Sequence, residues 1–155
     1  MTPEQIEQLA QSRRSIEDRR DDIGREFHRC LRELDAETFT VFAGASGAVR
    51  GCDVGMLLDL LVRANEDPRR LVPLAAELGL THAAAGVHHD HYHTTGVALL
   101  RALECVHGDV FTPEVRAVWA EAFALVSALM ERAAVRTGEH AAHQLEKEQG
   151  QLRAQ

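Results

Sequence analysis

Histidine is the residue type that offers this sequence most of its chemistry, and His82 occupies the most informative position. It follows Leu74 and Leu78 by eight and four residues, so the sequence predicts that the three side chains share one apolar helix face. A buried imidazole needs partners for two ring nitrogens, or it needs a metal. Position alone leaves both readings open, and a hydrogen-bonded core histidine is the commoner of the two.

A second histidine signal follows directly, in the run His88-His89-Asp90-His91-Tyr92-His93. Imidazoles and a carboxylate are ligands for zinc, nickel or copper. Neighbouring residues on one irregular turn rarely converge on a tetrahedron, however. The run is therefore predicted to be a solvated corner between two helices, with a second metal site as the alternative.

The elements that must position these residues are predicted to be helices, giving an all-α fold. Three prolines follow good capping residues, which predicts helix starts at Thr2-Pro3, Asp67-Pro68 and Thr112-Pro113. Apolar residues recur at helical spacing through most of the chain, and no segment shows sustained strand alternation. Gly138 is predicted to end the last helix. This divides the chain into a folded domain over 1–137 and a polar tail over 138–155, which is either frayed or a helical extension.

Composition excludes several classes of function. The formal net charge is -7, with 24 acidic against 17 basic residues, which argues against nucleic-acid binding. No apolar run reaches the roughly 18–20 residues that a membrane span needs. The first residues do not resemble a secretory signal, so a cytoplasmic location is expected. The three cysteines are too few for a disulfide framework, and Cys30 and Cys105 are predicted to be small buried hydrophobes.

A longer pattern surrounds His82. The histidine is followed by Gly86-Val87, His91-Tyr92, Gly96, Leu99-Leu100, Gly108-Asp109 and Trp119, and is preceded by Phe27 and Phe42 at a spacing of fifteen. This succession resembles the globins, specifically bacterial single-domain hemoglobins and the globin domain of flavohemoglobins. The resemblance is specific over about 40 residues and extends to about Ala134. It implies a globin fold of six to eight helices around a haem pocket.

The resemblance also implies a cofactor and its ligands. His82 would be the metal ligand, binding the iron of one b-type haem, and Phe42 would stack on the porphyrin. His91 would reach a haem propionate. The complete set of implied cofactor-binding residues is Phe27, His28, Phe42, Arg50, Val54, Leu57, His82, Val87, His91, Tyr92, Leu99 and Phe123.

The chain departs from the flavohemoglobin pattern in two places. His28 stands where that family carries a tyrosine that donates to the bound gas, and Ala134 stands where it carries a proximal glutamate. A histidine at the first position can still donate a hydrogen bond from one ring nitrogen. We therefore expect His28 to control the gas-binding side.

The helix expected on the gas-binding side of the haem, called the distal helix, can be aligned with the globin pattern in two registers. The reason is that the segment from Phe42 to His82 is two residues shorter than that pattern. If the two missing residues belong to the later part of this segment, Cys52 and Met56 face the pocket. If they belong to the corner over 43–47, Arg50 and Val54 face the pocket instead. Gly51 then lies opposite Gly24 at a helix crossing. The second register is favoured.

These residues predict a haem protein that reversibly binds oxygen, nitric oxide or carbon monoxide for transport, storage, scavenging or sensing, as a monomer or homodimer. No residue is assigned a catalytic role. One alternative is a haem-free globin-fold module that acts through protein contacts. The other is a haem oxidoreductase acting on nitric oxide or peroxide. It would need an external electron donor or reductase, because no flavin domain follows residue 155, and its turnover is expected to be weak.

Overall fold

The structure is a computed structural model that describes residues 1–44 and 54–153. The described residues form α-helices and two short 3-10 turns and contain no strand, which confirms the all-α prediction. The helices are α1 (Pro3–Arg14), α2 (Arg20–Leu34), α3 (Ala36–Gly44), α4 (Val54–Glu66), α5 (Pro68–Ala84), α6 (His89–His107) and α7 (Pro113–Arg153). The 3-10 turns are Glu17–Arg19 and Gly108–Val110. No helix within this part of the chain is long and apolar enough to cross a bilayer.

The predicted proline starts of α1, α5 and α7 are confirmed. The Thr2 hydroxyl accepts a hydrogen bond from the backbone N–H of Gln5 at 3.3 Å, and the Asp67 carboxylate accepts one from that of Arg69 at 3.2 Å. Such caps satisfy backbone donors that have no partner inside the helix, and each stabilises its helix by about 1 kcal/mol.

Two predicted features of the helices are wrong. Gly138 does not end the last helix, because α7 continues through it to Arg153. One glycine costs a helix only about 1 kcal/mol relative to alanine, which continued hydrogen bonding on both sides offsets. Leu74 does not share the inward face of His82 and is 43% exposed. Eight residues at roughly 100° each leave the two side chains about 80° apart. The division of the chain at residue 137 stays a prediction.

The core lies where α5 packs on α7 and where α2 packs on α6. Trp119 of α7 is fully buried, and its indole N–H donates to the Ser12 hydroxyl of α1 at 2.9 Å. Cys30 is buried as predicted, whereas Cys105 is exposed, so that prediction is wrong.

A glycine brings α5 and α7 into direct backbone contact. A Cβ atom built on Gly79 would overlap the carbonyl oxygen of Met130 and lie 2.8 Å from its Cα. No side chain fits in that space, so the two helices cross at a distance that only glycine allows. Because Gly79 is three residues before His82, this contact also holds the histidine's end of α5 against α7.

Candidate functional site

A cavity of about 410 Å³ lies between the helices, inside the size range of small-molecule and cofactor sites. Its wall is mostly apolar and contains no aspartate or glutamate among the described residues. The lining residues are Phe27, His28, Leu31, Arg32, Phe39, Phe42, Val54, Leu57, His82, Tyr92, Thr95, Phe123, Val126, Ser127 and Met130.

His82 is the buried histidine of this wall, only 7% exposed. Its Nδ1 lies 2.6 Å from the backbone oxygen of Leu78, one turn earlier. A carbonyl oxygen only accepts, so Nδ1 carries the proton and Nε2 keeps its lone pair in the neutral ring. Burial lowers the pKa of His82, and the hydrogen bond to Leu78 opposes that shift in part. The neutral form, which is the form that ligates a metal, is therefore favoured.

The chain fixes the orientation of His82 by ending α5 just after it. Gly86 adopts a φ of 84°, a left-handed conformation that favours glycine. The turn lets the N–H of Val87 donate to the carbonyl oxygen of His82 at 2.9 Å. On the cavity side, the ring of His82 lies 6.1 Å from the ring of Phe42 and 6.1 Å from that of Tyr92.

The α2 side of the cavity carries two cationic or polar side chains, His28 and Arg32, one helical turn apart. Both are exposed. The His28 ring makes edge contacts with Phe27 and Phe39 at centroid distances of 5.5 and 6.5 Å. The Arg32 guanidinium lies 4.5 Å from the centroid of Phe39. Exposure places this pair at the mouth of the cavity.

The cavity brings together eight of the residues implied by the resemblance, which are Phe27, His28, Phe42, Val54, Leu57, His82, Tyr92 and Phe123. Val87, His91 and Leu99 are buried but are not part of its lining. The Nδ1 of His91 instead accepts a hydrogen bond from the N–H of His88 at 3.1 Å. Arg50, and Cys52 of the other register, lie outside the described residues.

Sequence reasoning missed part of the lining. Arg32 is the chemically important omission, and its spacing of four residues from His28 was the signal that would have found it. The other lining residues not singled out are Leu31, Phe39, Thr95, Val126, Ser127 and Met130.

The start of α4 bears on the two distal registers. Val54 is 3% exposed and lines the cavity, whereas Met56 is 61% exposed and does not. This placement agrees with the favoured register and not with Met56 over the pocket. The proposed crossing of Gly24 with Gly51 falls partly outside the described residues. Of those that are described, none lies within 4 Å of a Cβ built on Gly24.

Among the residues that the structure describes, no group of three or more His, Cys, Asp or Glu side chains is arranged to hold a metal ion, at the histidine-rich corner or elsewhere. The rings of His88 and His91 are 3.7 Å apart, and His89 pairs with Glu131 at 3.1 Å. Ala134 occupies the position of the family's proximal glutamate, and Glu131 is the acidic residue nearest to it in sequence. It contacts the surface histidine His89.

Comparison with known proteins agrees with this architecture. The sequence model of the globin family matches residues 46–130. Neuroglobin of Dissostichus mawsoni is 28% identical over 122 residues, which cover 70% of this chain and 77% of that protein. Neuroglobin-2 of Oncorhynchus mykiss is 31% identical over 87 residues, or 56% of this chain and 55% of that protein. The finer resemblance to bacterial hemoglobins stays a prediction. The chain belongs to the globin family.

Proposed function

We propose that this globin binds one b-type haem through His82 and reversibly binds a diatomic gas. The observation that carries the proposal is the state of the His82 imidazole. Its Nδ1–H donates to Leu78, and its Nε2 has no hydrogen bond to a described residue, at the wall of an apolar cavity. Haem held by one axial imidazole supplies a coordination position that oxygen, nitric oxide or carbon monoxide can occupy.

The rest of the wall suits a flat, apolar cofactor. The chain has five phenylalanines and one tyrosine, and the cavity lining contains Tyr92 and all the phenylalanines except Phe111. Aromatic side chains cover large apolar areas and exclude water from the site. Their concentration around His82, in a chain with only 5% aromatic residues, supports an aromatic macrocycle as the ligand.

The surroundings of His82 support gas binding over oxidative turnover. Its hydrogen-bond partner is a neutral backbone carbonyl, and a carboxylate partner would make the imidazole a stronger electron donor. The carboxylate of Glu131, which is close in sequence to the position of the family's proximal glutamate, contacts His89. Weak electron donation leaves ligand binding intact and slows chemistry on the bound gas.

Haem reconstitution tests the proposal. The purified chain should take up haemin in a 1:1 ratio and develop a Soret band, and His82→Gly should weaken haem affinity by about 100-fold or more, as expected for loss of a ligand. Free imidazole should restore the spectrum of His82→Gly, because it can occupy the place of the side chain.

His93→Gly is the matched control, because His93 is an exposed histidine of the next helix outside the cavity lining. It should bind haem as the wild type does. A wild-type chain without a Soret band would overturn the proposal and favour the haem-free interaction module. Equal haem affinity and spectra in His82→Gly and wild type would remove His82 as the ligand.

A further inference from the structure

Arg32 stands out among the arginines of residues 1–34 because it has no carboxylate partner among the described residues. The others each contact an acidic side chain, as shown by Arg13, Arg14, Arg19, Arg20, Arg25 and Arg29. In a protein with a net charge of -7, acidic partners are plentiful. Arg32 is therefore the exception within this part of the chain, and it is also the arginine that lines the cavity among the described residues.

The carboxylates closest to Arg32 in sequence are engaged elsewhere. Glu33 pairs with Arg29 at 2.8 Å. Asp35 accepts hydrogen bonds from the Thr38 hydroxyl at 2.6 Å and from the N–H of Glu37 at 2.9 Å, and so caps α3. The guanidinium of Arg32 instead lies over the ring of Phe39, where its face is covered and its N–H donors stay available in the plane.

The position of Arg32 indicates the kind of group it would bind. The described residues that line the cavity include no acidic side chain, and the permanently charged side chain among them is the Arg32 cation. The side chain is exposed at the mouth, where a charged group of an otherwise apolar ligand can stay hydrated. The planar fork of an arginine matches a carboxylate and binds it with two parallel hydrogen bonds.

We propose that Arg32 binds a carboxylate of the porphyrin and anchors that edge of the cofactor at the α2 side of the cavity. This inference rests on the proposed haem function. It gives the anchoring role to a residue other than His91, which the resemblance connected with a propionate. A free small anion would offer the same charge to Arg32, so the test must separate the two sources.

The experiment compares two porphyrins in three proteins. Haemin and haemin dimethyl ester, whose carboxylates are masked, are each bound to wild type, to Arg32→Gln and to Arg25→Gln. The readout is the rate at which the porphyrin transfers to an excess of an apoglobin acceptor. Arg25 is the matched control, because it lies on the same helix, carries the same charge and is absent from the lining.

Arg32→Gln should speed the loss of haemin by about three- to tenfold, in the range of one charge-assisted hydrogen-bonded pair. It should not change the loss of the ester, because the partner of Arg32 is then masked. Arg25→Gln should leave both rates near those of wild type. Arg32→Lys should recover part of the difference, since it keeps the charge and loses the planar fork.

Equal effects of Arg32→Gln on haemin and its ester would overturn the assignment. So would unchanged haemin loss together with weaker azide binding to the ferric protein, a result that would assign Arg32 to a free anion. A wild-type chain that takes up neither porphyrin would overturn the proposed function itself. The two failures are therefore distinguishable.

Discussion

The two sides of the cavity are built differently. On the α5 side, His82 is buried, its Nδ1–H donates to the backbone of Leu78, and Gly79 brings its helix into backbone contact with α7. On the α2 side, His28 and Arg32 are exposed and touch their neighbours through aromatic rings. One side is held by tight packing and the other by contacts that are easily rearranged.

This difference separates two tasks. A side chain that ligates a cofactor must be held in one geometry, which tight packing and a backbone hydrogen bond provide. Side chains that meet an exchanging ligand need room and a choice of partners. We therefore expect substitutions on the α5 side to change stability and cofactor retention. Those on the α2 side should change ligand kinetics, and at Arg32 also the rate of porphyrin loss, in a protein that stays folded.

The largest effect is expected at the crossing of α5 and α7. Gly79→Ala should lower the free energy of unfolding by about 2 kcal/mol or more, because the new Cβ meets the backbone of Met130, which cannot rotate away. The gain in helix propensity, about 1 kcal/mol, offsets only part of this cost. Chemical denaturation of the apoprotein and holoprotein measures the change.

Gly24→Ala is the control for that substitution. Gly24 also lies inside a helix, but no described residue comes within 4 Å of a Cβ built there. The substitution should stabilise the protein by up to about 1 kcal/mol through helix propensity alone. Destabilisation by Gly24→Ala would instead support the close helix crossing that the sequence predicted. A Gly79→Ala protein as stable as wild type would show that the α5 side is no more tightly packed than the α2 side.

A smaller loss is expected at Gly96. A Cβ there would lie 2.9 Å from the ring of Phe123, a half-buried side chain that lines the cavity. Because a ring can move where a backbone cannot, Gly96→Ala should cost about 1 kcal/mol. The displaced ring should also shift the Soret maximum of the haem-loaded protein. Haem spectra and stability both unchanged in this variant would contradict the expected contact.

The contrast between Gly79 and Gly24 also shows which features of the structure can be predicted from the sequence. The helix starts, the all-α class and His82 on a cavity wall all follow from local rules or from the family pattern. Gly79 was not noticed, because its partner Met130 is 51 residues away and only the packed structure brings them together. Leu74 was misplaced because a spacing of eight residues drifts around a helix.

On the α2 side, His28→Leu should raise the dissociation rate of bound oxygen by about fivefold while leaving the free energy of unfolding nearly unchanged. The reason is the loss of one hydrogen-bond donor toward the ligand, worth about 1 kcal/mol. Stopped-flow or flash photolysis measures the rate. His28→Gln keeps a donor and should recover part of the difference. Identical rates in wild type and His28→Leu would show that His28 does not reach the gas.

The smallest effect is expected at the surface pair formed by His89 of α6 and Glu131 of α7. The hydrogen bond from His89 to Glu131, and then the charge of that carboxylate, raise the pKa of His89. The stabilisation from the pair is therefore fully present below about pH 6.5, the ordinary value for histidine, and is lost as the pH rises through the raised pKa of the folded state.

The stability of wild type relative to His89→Gln should accordingly be greatest near pH 5.5 and smallest near pH 8.5, and the difference should shrink in high salt, since the histidine is exposed. Urea unfolding of both proteins at the two pH values measures it. His93→Gln should show no such trend, because His93 has no ion pair among the described residues. A difference that grew with pH would mean that His89 is stabilised as the neutral ring.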